Sequence, residues 1–356
     1  MIRSLLSSAA SGFDSAVGSA LLLRRSRVRG QPDPEALRHD ARMDALRAIR
    51  DVYDKPEHYE PSSDFFPESK PAEPTFSYVR PIGGATPGKV LDLKWPSAFS
   101  PLSSEVREKY LQHQSNRYGA ARVFLHSDRP RPTILLVHGY RCGQYPLEER
   151  VWPVSWLYER GLDVALMVLP FHAVRSQPGA PLFPGNDPRI TNEGFRQAML
   201  DVRSLLGFFM ARGAEAVGVM GMSLGGYTTS LVSTLDERVA FAVPIIPLAS
   251  IADVARGAGR FVGTPEEQHL QFEALDAVHR AVSPFARPSK VSAERVLVLA
   301  ASGDKITPVD HASRLAAHFG APLETFHGGH LLQFGRADAF RSVGRMLGRL
   351  GLLSSR

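Results

Sequence analysis

The residues best placed for covalent chemistry are a serine, an aspartate and a histidine, each flanked by residues that free or turn the backbone. Gly221-Met222-Ser223-Leu224-Gly225 follows the apolar run Ala216 to Met220 and opens a helical pattern. A glycine on either side lets a sharp strand-to-helix turn lift the Ser223 hydroxyl above the edge of a sheet. A serine is a poor nucleophile at neutral pH without a base and a group that orients that base, so two further residues are required later in the chain. Asp304 lies in Ser302-Gly303-Asp304-Lys305, just after the apolar run Arg295 to Ala300. His330 ends His327-Gly328-Gly329-His330, where the glycine pair can present it toward the same edge. His327 competes with it, but His327 directly ends the strand pattern, and His330 is the expected base. With Thr307 as the cap and Pro308 at the first helical position, Asp310 and His311 fall in a helix's first turn, where a carboxylate complements the helix dipole.

Negative charge that develops on an attacked carbonyl oxygen needs N–H donors. His138-Gly139-Tyr140 follows the run Thr133 to Val137, and the backbone N–H groups of Tyr140 and Leu224 are the expected pair, with Arg141 as the alternative to Tyr140. His138 itself is read as shaping the loop. Pro170-Phe171-His172-Ala173-Val174-Arg175 ends another strand pattern, so His172 and Arg175 are expected to line the substrate cleft. Arg175 has two readings, a clamp for a carboxylate or phosphate, or a tie between the long loop Gln177 to Asn192 and the body. The histidines and carboxylates show no zinc-binding spacing and Cys142 is the single cysteine, so no metal is expected.

The elements that must carry these residues alternate. Apolar runs at 89–93, 118–126, 133–137, 164–169, 216–220, 240–246, 295–300 and 322–326 read as strands, several of them apolar enough for burial on both faces. Helical patterns at 146–160, 192–212, 224–234, 308–319 and 338–350 lie between them. Such alternation predicts right-handed βαβ units and a mostly parallel central sheet with helices on both faces. The segment 252–290 is helical in pattern and long enough to form a small cap.

Upstream, Pro61 to Pro87 holds six prolines and Gly83-Gly84 and reads as an extended connector. We divide the chain into an N-terminal helical extension with its connector, 1–87, and a catalytic domain, 88–356. A helix is expected over 34–53. Residues 1–20 place Ile2, Leu5, Leu6, Ala9, Phe13, Ala16 and Val17 on one helical face and Ser4, Ser7, Ser8, Ser11, Asp14 and Ser15 on the other. Asp14 interrupts the apolar stretch and Arg24-Arg25-Ser26-Arg27 follows it, a pattern unlike a secretory signal; an organellar transit peptide stays open for a eukaryotic source.

The chain has 356 residues with 44% hydrophobic and 22% charged side chains, a globular composition, and one cysteine rules out a disulfide scaffold. Of a net charge of +6, four units fall in residues 1–50, where nine arginines face Asp14, Asp33, Glu35, Asp40 and Asp44. The remainder is nearly balanced and carries no aromatic-interleaved basic motif, which argues against nucleic acid as a partner. Arginines beside an amphipathic helix suit an anionic membrane surface, so peripheral contact through residues 1–30 is one expectation, and packing of that helix on its own protein is the other. The expected location is cytoplasmic or peripheral to a membrane.

As an ordered set, the His-Gly loop, the G-x-S-x-G elbow, the Asp304 turn and the Gly-Gly-His resemble the α/β-hydrolase superfamily over about residues 89–352. Gly221 to Tyr227, Pro170-Phe171-His172 and Ile246-Pro247 look distantly like the group that includes α/β-hydrolase domain-containing protein eighteen. The resemblance implies an α/β-hydrolase fold and a serine hydrolase that cleaves carboxylic esters, acyl lipids among them, through Ser223, His330 and Asp304, with no cofactor. A serine peptidase or amidase is the alternative, although no propeller-like repeat precedes the domain. A non-catalytic binding protein would be expected to have lost one of the three residues, and all three are present.

Overall fold

The computed structural model describes Ser7, Ala10, Ser11 and Asp14, which are helical, together with residues 38–60 and 63–354. Its centre is one nine-stranded sheet. The strands are β1 (Thr75–Ile82), β2 (Gly88–Pro96), β3 (Tyr118–His126), β4 (Thr133–Val137), β5 (Asp163–Val168), β6 (Val217–Met222), β7 (Val239–Ile245), β8 (Val298–Ala301) and β9 (Leu323–Phe326). Their spatial order is β1-β2-β3-β5-β4-β6-β7-β8-β9. The pairs from β1 to β3 and the β3–β5 pair are antiparallel, and every pair from β5 through β9 is parallel. The expected α/β architecture, a mostly parallel sheet between helices, is what the chain forms.

Parallel strands need crossovers, and the helices supply them. In chain order the described helices are α1 (His39–Tyr53), α2 (Ser104–Leu111), α3 (Tyr145–Val151), α4 (Val154–Glu159), α5 (Pro188–Ala211), α6 (Leu224–Ser233), α7 (Ile251–Gly257), α8 (Pro265–His279), α9 (Val309–Phe319) and α10 (Arg336–Arg349), with α3 to α9 lying between strands of the parallel part. Local chemistry sets several of their ends. Asp187 caps α5 by accepting from the Arg189 N–H with Pro188 at the first position, and Thr264 and Glu267 form a reciprocal capping box at the start of α8. Gly320 closes α9 in the left-handed conformation.

Alternation along the strands divides the core in two. Leu135, Val137, Ala165, Met167 and Val219 face the side covered by α1, α5, α6 and α9. Ile134, Leu136, Val164, Leu166, Met220 and Val243 face the side covered by α3, α4 and α10. All five residues of β4 are buried, in keeping with its continuous apolar run. Among the described residues, no helix is long and apolar enough to cross a membrane.

Two local features depart from the sequence reading, and a third, the helical pattern at 252–290, agrees with it. The proline-rich stretch contains β1, which pairs with β2 and places Pro81 opposite Lys89. An edge strand tolerates a residue that cannot donate to a ladder, so the prolines masked a strand. Ile49, Tyr53, Phe65 and Ala72, all upstream of residue 88, belong to the same apolar core as β4 and α5. Residues 251–286 are helical throughout most of their length as α7, α8 and two short 3-10 turns, and α1 packs on α8.

Candidate active site

The parallel arrangement brings the C-terminal ends of β4, β6, β8 and β9 to one edge of the sheet, so loops far apart in the chain meet there. Strain collects at the same edge. Arg141, Phe171, Ala173, Ser223 and Ile246 are the non-glycine residues with positive φ among the described residues, and each lies in a loop that follows β4, β5, β6 or β7. Backbone held in such regions costs about 1–3 kcal/mol per residue and persists where the surroundings over-determine it.

Ser223 sits at φ 57° and ψ −111° between β6 and α6. Three backbone bonds hold it: its N–H donates to Ile245 O at 3.0 Å, and its carbonyl accepts from Tyr227 N at 3.0 Å and Leu248 N at 3.1 Å. Close packing explains the neighbouring glycines. A Cβ on Gly221 would lie 2.1 Å from Gly225 O, and one on Gly225 would lie 2.0 Å from Val137 O. Both contacts are with backbone, which cannot swing aside.

Asp304 follows β8 and is buried. Its Oδ1 accepts from the N–H groups of Ile306 and Thr307, each at 2.8 Å, and its Oδ2 lies 2.7 Å from His330 Nδ1. His330 Nε2 in turn lies 2.9 Å from Ser223 Oγ. Because a carboxylate oxygen only accepts, Nδ1 carries the proton, and Nε2 is left to accept from the serine hydroxyl. Serine, histidine and aspartate are therefore joined in one line of hydrogen bonds, and the three residues singled out in the sequence are brought together. His327 is not in that line; its carbonyl accepts from Gly335 N at 2.7 Å.

Thr307 is a member of the site that sequence reasoning gave only a capping role. Its Oγ1 stands 3.0 Å from each of Asp304 Oδ2, His330 Nδ1 and Ile246 O. A threonine three residues after an aspartate in a strand-to-helix turn is the signal by which it could have been found.

The loop after β4 lies beside Ser223. A Cβ on Gly139 would sit 3.6 Å from Ser223 Cβ, so the chain at Gly139, one residue before Tyr140, passes close to Ser223, and Leu224 is the first residue of α6, where N–H groups have no intrahelical acceptor. His138 is a scaffold residue: its Nε2 accepts from Leu169 N at 3.0 Å and its Nδ1–H donates to Gly139 O at 2.7 Å. Burial, the neighbouring His172 and Arg175 together hold it well below the usual histidine range, so it stays neutral.

Of the two expected cleft residues, Arg175 is corrected. It is 1% exposed and its guanidinium donates to Asp201 Oδ2 at 2.7 Å and to Val168 O at 3.0 Å. An arginine so enclosed ties the loop after β5 to α5 and offers no face to a ligand. The sequence could not decide this because the partner, Asp201, is chosen by helix packing. His172 is also buried, with Nδ1 2.8 Å from Pro170 O, and burial pushes it down to about 4. Its ring centroid is 4.9 Å from that of His138 and 6.3 Å from that of Tyr140, so it buttresses the loop beside Ser223 as a neutral side chain.

The N-terminal helical residues also reach this edge. Ser7, Ser11 and Asp14 bond to the loops that carry Asp304 and His330, so part of the serine-rich face is turned toward the protein. The rest of residues 1–30, on which the expected membrane contact rests, lies outside the described residues.

No model of a known protein family matches the sequence. Two curated proteins from Mycobacterium tuberculosis are similar to it: Uncharacterized protein Rv2627c from strain ATCC 25618 / H37Rv and Uncharacterized protein MT2702 from strain CDC 1551 / Oshkosh. Each is 31% identical over 268 residues, which cover 73% of this chain and 64% of the relative. The match thus spans a little under two thirds of their length. Among solved structures, an acetyl xylan esterase from Paenibacillus sp. R4 aligns with a TM-score of 0.51 at 15% identity, covering 89% of this chain and 96% of its own. Acetyl Xylan Esterase 1 from Thermoanaerobacterium sp. JW/SL YS485 aligns with a TM-score of 0.53 at 16% identity, covering 85% and 98%. What these two structures share with the chain at such low identity is the fold, and it is the fold of the α/β-hydrolase superfamily.

Proposed function

We propose that the chain is a serine hydrolase that cleaves carboxylic esters by way of an acyl-enzyme. The observation that carries this is the continuous line from Ser223 Oγ to His330 Nε2 at 2.9 Å and from His330 Nδ1 to Asp304 Oδ2 at 2.7 Å. The strained elbow that holds Ser223 supports the same reading. The choice of ester over amide draws on the names of the two structures of like fold.

In this reading Ser223 Oγ bonds to the acyl carbon as its proton passes to His330 Nε2. The imidazolium so formed is stabilised by Asp304, which keeps the ring oriented. The N–H groups of Tyr140 and Leu224 receive the oxyanion, and each such donor is worth about 3–4 kcal/mol in the transition state. Collapse breaks the bond to the leaving oxygen, which takes the proton from Nε2. Water then attacks the acyl-serine, gives a proton to His330, and releases a carboxylic acid as the proton returns to Ser223. Every step uses residues of this chain and water.

The test is hydrolysis of p-nitrophenyl esters from acetyl to palmitoyl by the wild type and by Ser223→Ala. Loss of the nucleophile is expected to lower kcat by up to about a million-fold, to the level left by oxyanion donors and binding alone. Turnover that survives the substitution would refute the assignment. The preferred chain length would identify the acyl group, long chains favouring a lipid.

A further inference from the structure

The N-terminal helical residues grip the two loops that carry the acid and the base. Asp14 is 1% exposed, and its two carboxylate oxygens accept from consecutive backbone N–H groups: Oδ2 from His330 at 2.5 Å and Oδ1 from Leu331 at 3.0 Å. Three residues earlier, Ser11 Oγ donates to Gly303 O at 2.6 Å. One turn before that, Ser7 Oγ accepts from Gly328 N at 3.2 Å and lies 3.1 Å from Ser302 Oγ. Residues 7, 11 and 14 recur on one helical face, so a single face holds both loops at once.

Two glycines record the same contact independently. A Cβ on Gly329 would lie 2.4 Å from Asp14 Oδ2 and 3.1 Å from Ala10 Cβ. One on Gly303 would lie 2.5 Å from Ser7 O and 2.8 Å from Ser11 Oγ. Neither glycine has a positive φ, so close packing, and not backbone conformation, is what excludes a side chain; at Gly303 the Gly328 carbonyl, 2.9 Å from such a Cβ, adds to the N-terminal contacts. A buried carboxylate is costly unless its oxygens are satisfied. Among the described residues, Asp14 is satisfied by backbone N–H groups of the base loop and not by a cation.

We propose that Asp14 is a positioning residue for His330, and that the N-terminal segment completes the active site by fixing the loop that presents the base. This rests on the hydrolase reading above. His330 must meet Ser223 and Asp304 together, and its loop contains Gly328, Gly329 and Gly335. A displacement of about 1 Å in such a site can cost on the order of a hundred-fold in rate. The bidentate clamp on two successive amides holds the backbone where the side chain can make both bonds.

The experiment uses the full chain with Asp14→Ala and Asp14→Asn. Asparagine keeps one acceptor oxygen and removes the other, and it carries the test should the alanine variant fail to fold. Reactive sites are counted by titration with a fluorophosphonate, kcat and KM for p-nitrophenyl acetate are measured per titrated site, and hydrogen exchange is followed in a peptide spanning residues 327–334. Expected are a kcat lowered by roughly 10- to 100-fold for alanine and less for asparagine, KM within about two-fold, and faster exchange at the His330 and Leu331 amides. A residue that only stabilised the fold would lower the number of titratable sites and leave kcat per site unchanged; that result, with unchanged exchange, overturns the proposal. Failure of the wild type to react with ester or fluorophosphonate would defeat the hydrolase reading, and exchange alone would then judge the clamp: unchanged exchange in both variants rejects it, and faster exchange upholds it.

Discussion

Replacing Asp304 by asparagine tests the proposed chemistry most sharply, because the structure dictates which way the new amide must point. Asp304 Oδ1 accepts two backbone N–H bonds, from Ile306 and Thr307, and only an oxygen can fill that role. The amide nitrogen is therefore forced to the position of Oδ2, 2.7 Å from His330 Nδ1. The reverse orientation would set an N–H₂ group against two donors, leaving buried groups unsatisfied at about 1–3 kcal/mol each. With a donor facing it, Nδ1 must accept, and the ring proton moves to Nε2. There it points at Ser223 Oγ, which is 2.9 Å away, and the histidine can no longer take the serine proton. A wrong tautomer of this kind lowers kcat by about ten-thousand-fold, or roughly 5.5 kcal/mol at about 1.4 kcal/mol per factor of ten. The packing of the acyl group is untouched, so KM should stay within about three-fold. Initial rates with p-nitrophenyl acetate at neutral pH, on protein shown to be folded by near-ultraviolet circular dichroism, measure both. A folded Asp304→Asn protein that keeps more than a tenth of wild-type kcat would refute the assignment of Asp304 and the tautomer argument with it.

Two further expectations concern stability. Arg175→Met should destabilise the fold by about 3–5 kcal/mol, since it strands Asp201, itself 1% exposed, without its ion-pair partner; urea denaturation measures this, and unchanged stability with a raised KM for ester would instead restore Arg175 as a substrate contact. Stability should also fall on acidification: burial holds His172 at about 4 and His279 at about 3 in the folded protein, below the value of about 6.5 in an unfolded chain. The unfolded state therefore binds more protons between those limits, so stability is complete above about pH 6.5 and is lost as pH falls toward 4, by up to about 1.4 kcal/mol per pH unit for each histidine. Denaturation midpoints at pH 7, 6 and 5 check the slope, and a His279→Gln protein with an unreduced slope would reject it.

Local structure was legible along the chain. Buried strands announced themselves as apolar runs because both of their faces are covered, and the glycines of the elbow were legible because a sharp turn demands small neighbours at fixed spacing. The order serine, aspartate, histidine, each after a strand, placed all three at one edge, since parallel strands end on the same side. Where neighbours along the chain do not decide, packing does. The edge strand β1 was hidden by Pro81 within it and the prolines around it, which an edge permits. The fate of Arg175 depended on Asp201, which α5 brings to it across the loop. Thr307 looked like a helix cap until β9 delivered His330 beside it. Asp14 read as an interruption in an amphipathic pattern, while its partner His330 lies 316 residues away. Only the tertiary structure brings that carboxylate to two backbone amides, because a buried charge is stable only where donors from elsewhere in the fold converge on it.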